Sequence, residues 1–233
     1  MVGEDIAEVF AEVGAKVWLE RTGESAFIDY EMNVQVSNPF IREHMIEGTL
    51  PYNTNIIPGD ILRLDAEEIR YLVVNYVPEL FENEIVSIST TLYKCNVYGK
   101  IYKEVETIPD QNTPMSQRLS RQVAWEYVGE SYVVFTSSLR GGTSEMLGTQ
   151  DFGDIIVKHN ILYLPSNVEI KPKYRFYIDD DEYYQVGNVE KRRFNNVAVV
   201  ALTEDTRHNN YLPESDSSDG SSASDISDSG SVS

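Results

Sequence analysis

Leu50-Pro51-Tyr52-Asn53-Thr54-Asn55-Ile56-Ile57-Pro58 and, 114 residues further on, Leu164-Pro165-Ser166-Asn167-Val168-Glu169-Ile170-Lys171-Pro172 read as one pattern, L-P-x-N-x-x-I-x-P. Five identities in nine positions lie far above the chance of about one in fifteen per position that ordinary composition gives. Upstream, Gly23-Glu24-Ser25 answers Gly129-Glu130-Ser131, with Trp18 and Trp125 a few residues before each. Downstream, Tyr71, Val73, Phe81 and Asn83 answer Tyr184, Val186, Phe194 and Asn196 at an offset of 113. Three blocks in the same order mark an internal duplication. The offset grows from 106 to 114 between the first two blocks, so the second copy carries an insertion of eight residues. Residues 136–152 are the expected place for it, since they hold Arg140-Gly141-Gly142 and read as a long loop.

Each copy follows one plan. A strand-forming run, Asp60-Ile61-Leu62-Arg63-Leu64 or Tyr174-Arg175-Phe176-Tyr177-Ile178, leads to an acidic turn at residues 65–68 or 179–182. A second run follows, Tyr71-Leu72-Val73-Val74 or Tyr183-Tyr184-Gln185-Val186, and then a third at residues 85–89 or 197–202. Aromatic and β-branched runs separated by polar turns predict an antiparallel meander closing into a small barrel or sandwich. Helical spacing is clear only at the start, where Ile6, Val9, Phe10 and Val13 recur at i, i+3, i+4 and i+7, with Glu4 and Asp5 in the first turn and Gly14 as a stop. Residues 116–122 are a candidate second helix. The expected fold is mainly β: an N-terminal helix (1–16), a first β-barrel copy (17–96), a linker with Pro109, Asn112 and Pro114 (97–123), a second β-barrel copy (124–207) and a tail (208–233).

Charge narrows the functions open to such a chain. It carries 19 Lys and Arg against 38 Asp and Glu, a formal charge of −19. That argues against a protein whose task is to neutralise phosphate, and against anionic membrane, both of which call for clustered basic residues. The longest aliphatic run, residues 197–202, is far too short to span a bilayer. The acidic start Met1-Val2-Gly3-Glu4-Asp5 has no basic n-region, so no signal peptide is expected. A single cysteine, Cys95, excludes an internal disulfide and a cysteine-based zinc site. Residues 214–233 hold ten Ser and five acidic residues with three apolar ones, too little apolar surface to offset ordering entropy, so a disordered tail is expected there.

The chemistry-bearing residues give no catalytic, cofactor or metal site. The acidic clusters at 65–68 and 179–182 lack the spaced ligands of a calcium loop and read as strand-joining turns. His44, His159 and His208 lie in no metal spacing. Cys95 has no nucleophile signature and reads as a small buried hydrophobe. Arg140-Gly141-Gly142 reads as a flexible loop. Trp18 and Trp125, taken as repeat-equivalent, read as core.

The segment Ile56-Ile57-Pro58-Gly59-Asp60-Ile61-Leu62-Arg63-Leu64, followed by Arg70-Tyr71-Leu72-Val73-Val74, resembles a stretch of tailed-bacteriophage head-closure (stopper) and head–tail connector proteins. The second copy carries it as Ile170-Lys171-Pro172-Lys173-Tyr174 and Tyr183-Tyr184-Gln185-Val186, with Lys173-Tyr174 where the first has Gly59-Asp60. The resemblance implies a non-enzymatic virion protein, made in the host cytoplasm. It would self-associate into a ring of six or twelve copies, contact a portal or adaptor protein and tail proteins, and let DNA pass without specific binding. It implies no cofactor and no membrane. Acidic walls suit a channel that must not grip phosphate, since repulsion reaches about 10 Å at 0.1 M salt. A tail terminator, tail-tube or baseplate protein is the alternative within the virion. A two-domain β-sandwich glycan-binding module, suggested by 15 Tyr and 2 Trp, is the alternative outside it.

Overall fold

The structure, a computed structural model, describes residues 2–31, 45–64, 68–107, 122–142, 155–179 and 182–212. The expected linker helix at 116–122 (apart from residue 122), the linker residues 108–121 and the Ser-rich tail from residue 213 lie outside the described residues.

One helix, α1 (Val2–Val13), precedes thirteen strands among the described residues. The first seven are β1 (Ala15–Leu19), β2 (Ser25–Glu31), β3 (Met45–Pro51), β4 (Ile61–Leu64), β5 (Arg70–Val73), β6 (Val77–Phe81) and β7 (Glu84–Lys94). The last six are β8 (Val97–Thr107), β9 (Gln122–Gly142), β10 (Ile155–Pro165), β11 (Arg175–Tyr177), β12 (Tyr183–Phe194) and β13 (Val197–Glu204). The fold is mainly β, as the residue pattern predicts: two closed six-stranded antiparallel barrels and a short N-terminal helix.

The two barrels have the same strand order. Barrel one runs β1-β2-β3-β7-β5-β4 and closes on β1, with β6 extending the β5 line along β7. Barrel two runs β8-β9-β10-β13-β12-β11 and closes on β8. Equivalent positions fill equivalent interiors: Leu50 and Leu164, Ile56 and Ile170, Leu62 and Phe176, Tyr71 and Tyr184, Val73 and Val186 are all buried in their respective cores. Volume is conserved even where identity is not. Leu62 pairs with Leu19, and Phe176 with Ile101, which makes Val17 the counterpart of Gly99. A Cβ on Gly99 would stand 2.3 Å from the Phe176 ring, so a larger residue on β11 is matched by a smaller one on β8.

This register corrects three expectations. Residues 97–107 are not a linker but the first strand of barrel two, and the true connection is Cys95-Asn96 alone. The Gly-Glu-Ser blocks are not equivalent: Gly23 sits in the β1–β2 turn at φ 70, whereas Gly129 lies inside β9 opposite Ile101. The extra length of the second copy lies in two hairpins, β8–β9 and β9–β10. Residues 136–142, expected as loop, pair with β10 as strand; residues 143–154 lie outside the described residues.

Helix α1 packs on β7, β2 and β3, and its apolar stripe is only partly covered. Phe10 is buried and Ile6 half-buried, while Val9 and Val13 are 55% and 77% exposed. The Gly14 N–H donates to the Phe10 carbonyl at 3.0 Å and ends the helix as its position predicts.

Candidate functional site

The residues that carry the resemblance build a tight turn at the junction of the barrels. Pro58 fixes the first corner of Ile57-Pro58-Gly59-Asp60, Gly59 takes φ 88 at the second, and the Asp60 N–H donates to the Ile57 carbonyl at 3.1 Å. This is a type II turn, which needs a left-handed residue at its third position. Asp60, 3% exposed, locks it: its carboxylate accepts from Arg21 Nε at 2.7 Å and from the Ile57 N–H at 3.0 Å. Lys171-Pro172-Lys173-Tyr174 repeats the turn in barrel two, with Lys173 at φ 74 and the Tyr174 N–H on the Lys171 carbonyl at 3.1 Å. Even the flanking ladder is copied: Gly59 donates to Val73, and Lys173 to Val186.

In barrel one this turn is covered by barrel two. The β12–β13 hairpin tip, Phe194-Asn195-Asn196, lies against Ile57, Pro58 and Val74-Asn75-Tyr76. The approach is so close that a Cβ on Gly59 would stand 2.2 Å from the Asn196 carbonyl oxygen. Around it Ile61, Leu72, Val74, Val134 and Val197 form a buried apolar junction, edged by Tyr93, Cys95, Tyr132, Tyr163 and Phe194. Tyr93 meets Tyr163 edge-on at 5.7 Å, and the Arg70 guanidinium lies 4.0 Å over Tyr132. Asn96 stiffens the connection by exchanging two hydrogen bonds with the Phe135 backbone, at 2.7 and 2.8 Å. Beside the junction a groove of about 370 Å³ is lined by both barrels, including Arg21, Asp60, Pro165 and Asn196.

A second polar cluster holds the end of the described chain. Arg175, on the outer face of β11, has no solvent exposure; its guanidinium donates to Asp205, Asn209 and Tyr211 at 2.8 Å each. It also lies 4.2 Å from the Trp125 ring and 4.5 Å from Tyr183. Burial alone would raise the Asp205 carboxyl, but hydrogen bonds from Arg207 and Arg175 outweigh it and hold the group well below the usual carboxylate range. Residues 205–212 thereby form a strap along β9, tied by Trp125 N–H to the Asn210 carbonyl at 2.7 Å and Leu212 N–H to the Trp125 carbonyl at 2.9 Å. Residues 208–212 were expected in the tail and belong to the body.

Trp125 is fully buried, yet outside the barrel under two guanidinium groups; Trp18 lies on β1, where its counterpart is Lys100, so the two are not equivalent. His208 stacks on Trp125 at 5.4 Å; His159 lies on β10, and His44 is outside the described residues. Asp179 and Glu182 exchange backbone hydrogen bonds of 3.3 Å across the β11–β12 turn, while residues 65–67 and 180–181 are outside the described residues. Arg140-Gly141-Gly142 is the end of β9. Cys95 is half-buried at the junction, where burial pushes its thiol up to about 12. Among the described residues no three His, Cys, Asp or Glu converge as a metal site, and no helix is long and apolar enough to cross a membrane.

Comparison with family models, curated proteins and solved structures gives no match. The geometry presents a turn and a hairpin tip, each twice.

Proposed function

We propose that the chain is a structural subunit of a tailed-bacteriophage neck, a head-closure or head–tail connector that joins portal and tail and retains packaged DNA. One observation carries this reading. The Pro-Gly-Asp segment on which the resemblance rests folds as a turn leading into β4, at a buried apolar joint between two closed barrels of one topology. A connector that passes load from portal to tail is served by barrels held closely together, and a two-residue connection with a buried apolar interface suits that need. The charge of −19 suits a channel wall that repels phosphate. In this role the chain is a virion component that works without chemistry, cofactor or membrane, and its partners are a portal or adaptor above, tail proteins below and further copies of itself.

For the glycan-binding alternative one aromatic is unavailable, since Trp125 is enclosed by Arg175 and Arg207 and offers no ring face to a sugar. Disrupting the coding sequence in the phage genome that carries it tests the neck reading. The expected lysate holds finished tails beside separate heads that have lost their DNA. Joined, infectious particles would overturn the reading, and full heads bearing tails of irregular length would move the protein to the tail terminator.

A further inference from the structure

The same joint is built into the chain twice, and within one chain it is filled only once. In barrel one the Ile57-Pro58-Gly59 turn and Val74-Asn75-Tyr76 receive the hairpin tip of barrel two, and Pro58 is buried beneath it. The counterparts in barrel two are Lys171-Pro172-Lys173 and the start of the outer β12 segment. There Pro172 is exposed, and Ile170, Lys171 and residues 188–192 line an open groove of about 710 Å³.

The matching tip is equally open. The β6–β7 hairpin of barrel one is the counterpart of the tip that fills the joint, and the two turns share a left-handed Asn, Asn83 at φ 69 and Asn196 at φ 56. Every residue of β6 is exposed, Leu80 at 67% and Phe81 at 53% among them, and β6 pairs with β7 alone among the described strands. Two bare apolar side chains at a hairpin tip on an unpaired edge mark a contact surface.

Charge selects the occupant. The tip carries Glu79, Glu82 and Glu84. The groove carries Lys171, Lys191 and Arg192 against Glu169 and Glu190, with Lys173 and Arg193 beside it; Lys171 and Glu169 pair with each other at 2.7 Å, which leaves Lys191 and Arg192 against Glu190. Tip against tip, or groove against groove, sets like charges face to face, so the occupant that fits the groove is the tip of a second copy.

We infer that the Phe81–Glu84 tip of one copy seats in the Lys171/Lys191/Arg192 groove of the next, repeating between chains the joint that already links the barrels within a chain. The fit is related rather than identical. Lys173 has the Cβ that Gly59 lacks, and the strap over Arg175 takes the place that Ile61 gives to the junction. The incoming tip therefore lies toward β12, where the basic side chains are. Two copies that exchange tip and groove reciprocally close a dimer; otherwise the contact runs head to tail and propagates into a ring if the rotation closes, or a helical array if it does not. It stands apart from the neck assignment, because the match of tip to groove does not depend on where the protein works.

Sedimentation velocity on the full chain at low and high salt tests it. The wild type is expected to assemble at low salt and dissociate as salt rises. Glu82→Lys with Glu84→Lys, or separately Lys191→Glu with Arg192→Glu, is expected to weaken association about a hundredfold. Mixing the two variants restores opposite charges at every contact, and assembly is expected to return. All four side chains are exposed, so folding is preserved and far-UV circular dichroism verifies it. A wild type that stays monomeric at low salt, assembly indifferent to both variants, or a mixture that fails to assemble overturns the inference.

Discussion

Arg175 is a buried cation on the outside of a barrel, and its partners show how a charge is kept there. Desolvating an unpaired guanidinium would cost far more than one fold contributes, but Asp205, Asn209, Tyr211 and the faces of Trp125 and Tyr183 surround it. The Asp205 carboxyl is held below its ordinary value, so the stability it contributes is complete above the unfolded carboxylate value of about 3.9 and is lost as pH falls from there through the lower folded value. Asp205→Asn removes one charge of a buried pair and is expected to cost about 3–5 kcal/mol at neutral pH. Urea unfolding across the acid range checks both points: the variant should be less stable at pH 7 and should lack the acid-side decline. Equal slopes in the two proteins would refute the assignment. None of this was legible in the sequence. Arg175 stands at the position of Ile61, a mismatch within the repeat, and Asp205 to Tyr211 lie at the edge of a polar tail whose composition hides their packing.

The Pro-Gly and Pro-Lys turns are the elements on which the sequence spoke most plainly, since each residue of L-P-x-N-x-x-I-x-P has a local task. Leu50 and Leu164 enter the cores, Ile56 and Ile170 follow, and Pro58 and Pro172 set the corners. The same turn also separates local from tertiary demand. Gly59→Ala meets a left-handed φ and the Asn196 carbonyl at once, and is expected to cost about 2 kcal/mol or more. Lys173→Gly relieves the φ alone and should change stability by less than about 1 kcal/mol. Denaturant midpoints at unchanged m-value measure both; equal effects would mean that barrel two does not press on Gly59. Where sequence patterns misled, volume was the cause. Gly99 beneath the Phe176 ring, and Val17 in the core it shares with Leu62, are one packing solution in two spellings, so β8 does not read as a copy of β1. The nearby Gly-Glu-Ser blocks then offered a false match.

At the scale of the molecule, duplication leaves a chain with two like barrels, an internal joint and the two halves of a second joint facing outward. The duplication was legible because turns constrain identity. The open halves were not, because exposure depends on which barrel covers which, and only the fold decides that. Acidity, which in the sequence argues against phosphate-binding partners and suits a channel wall, divides here into an acidic tip and a groove that holds Lys191 and Arg192 against Glu190, on an otherwise negative body. An electron cryomicroscopy map of the assembled protein tests the central claim most directly. It should place Phe81 and Glu82 of each copy over Lys171 and Arg192 of the next. A map in which that tip points into solvent, with copies joined through other surfaces, would contradict it.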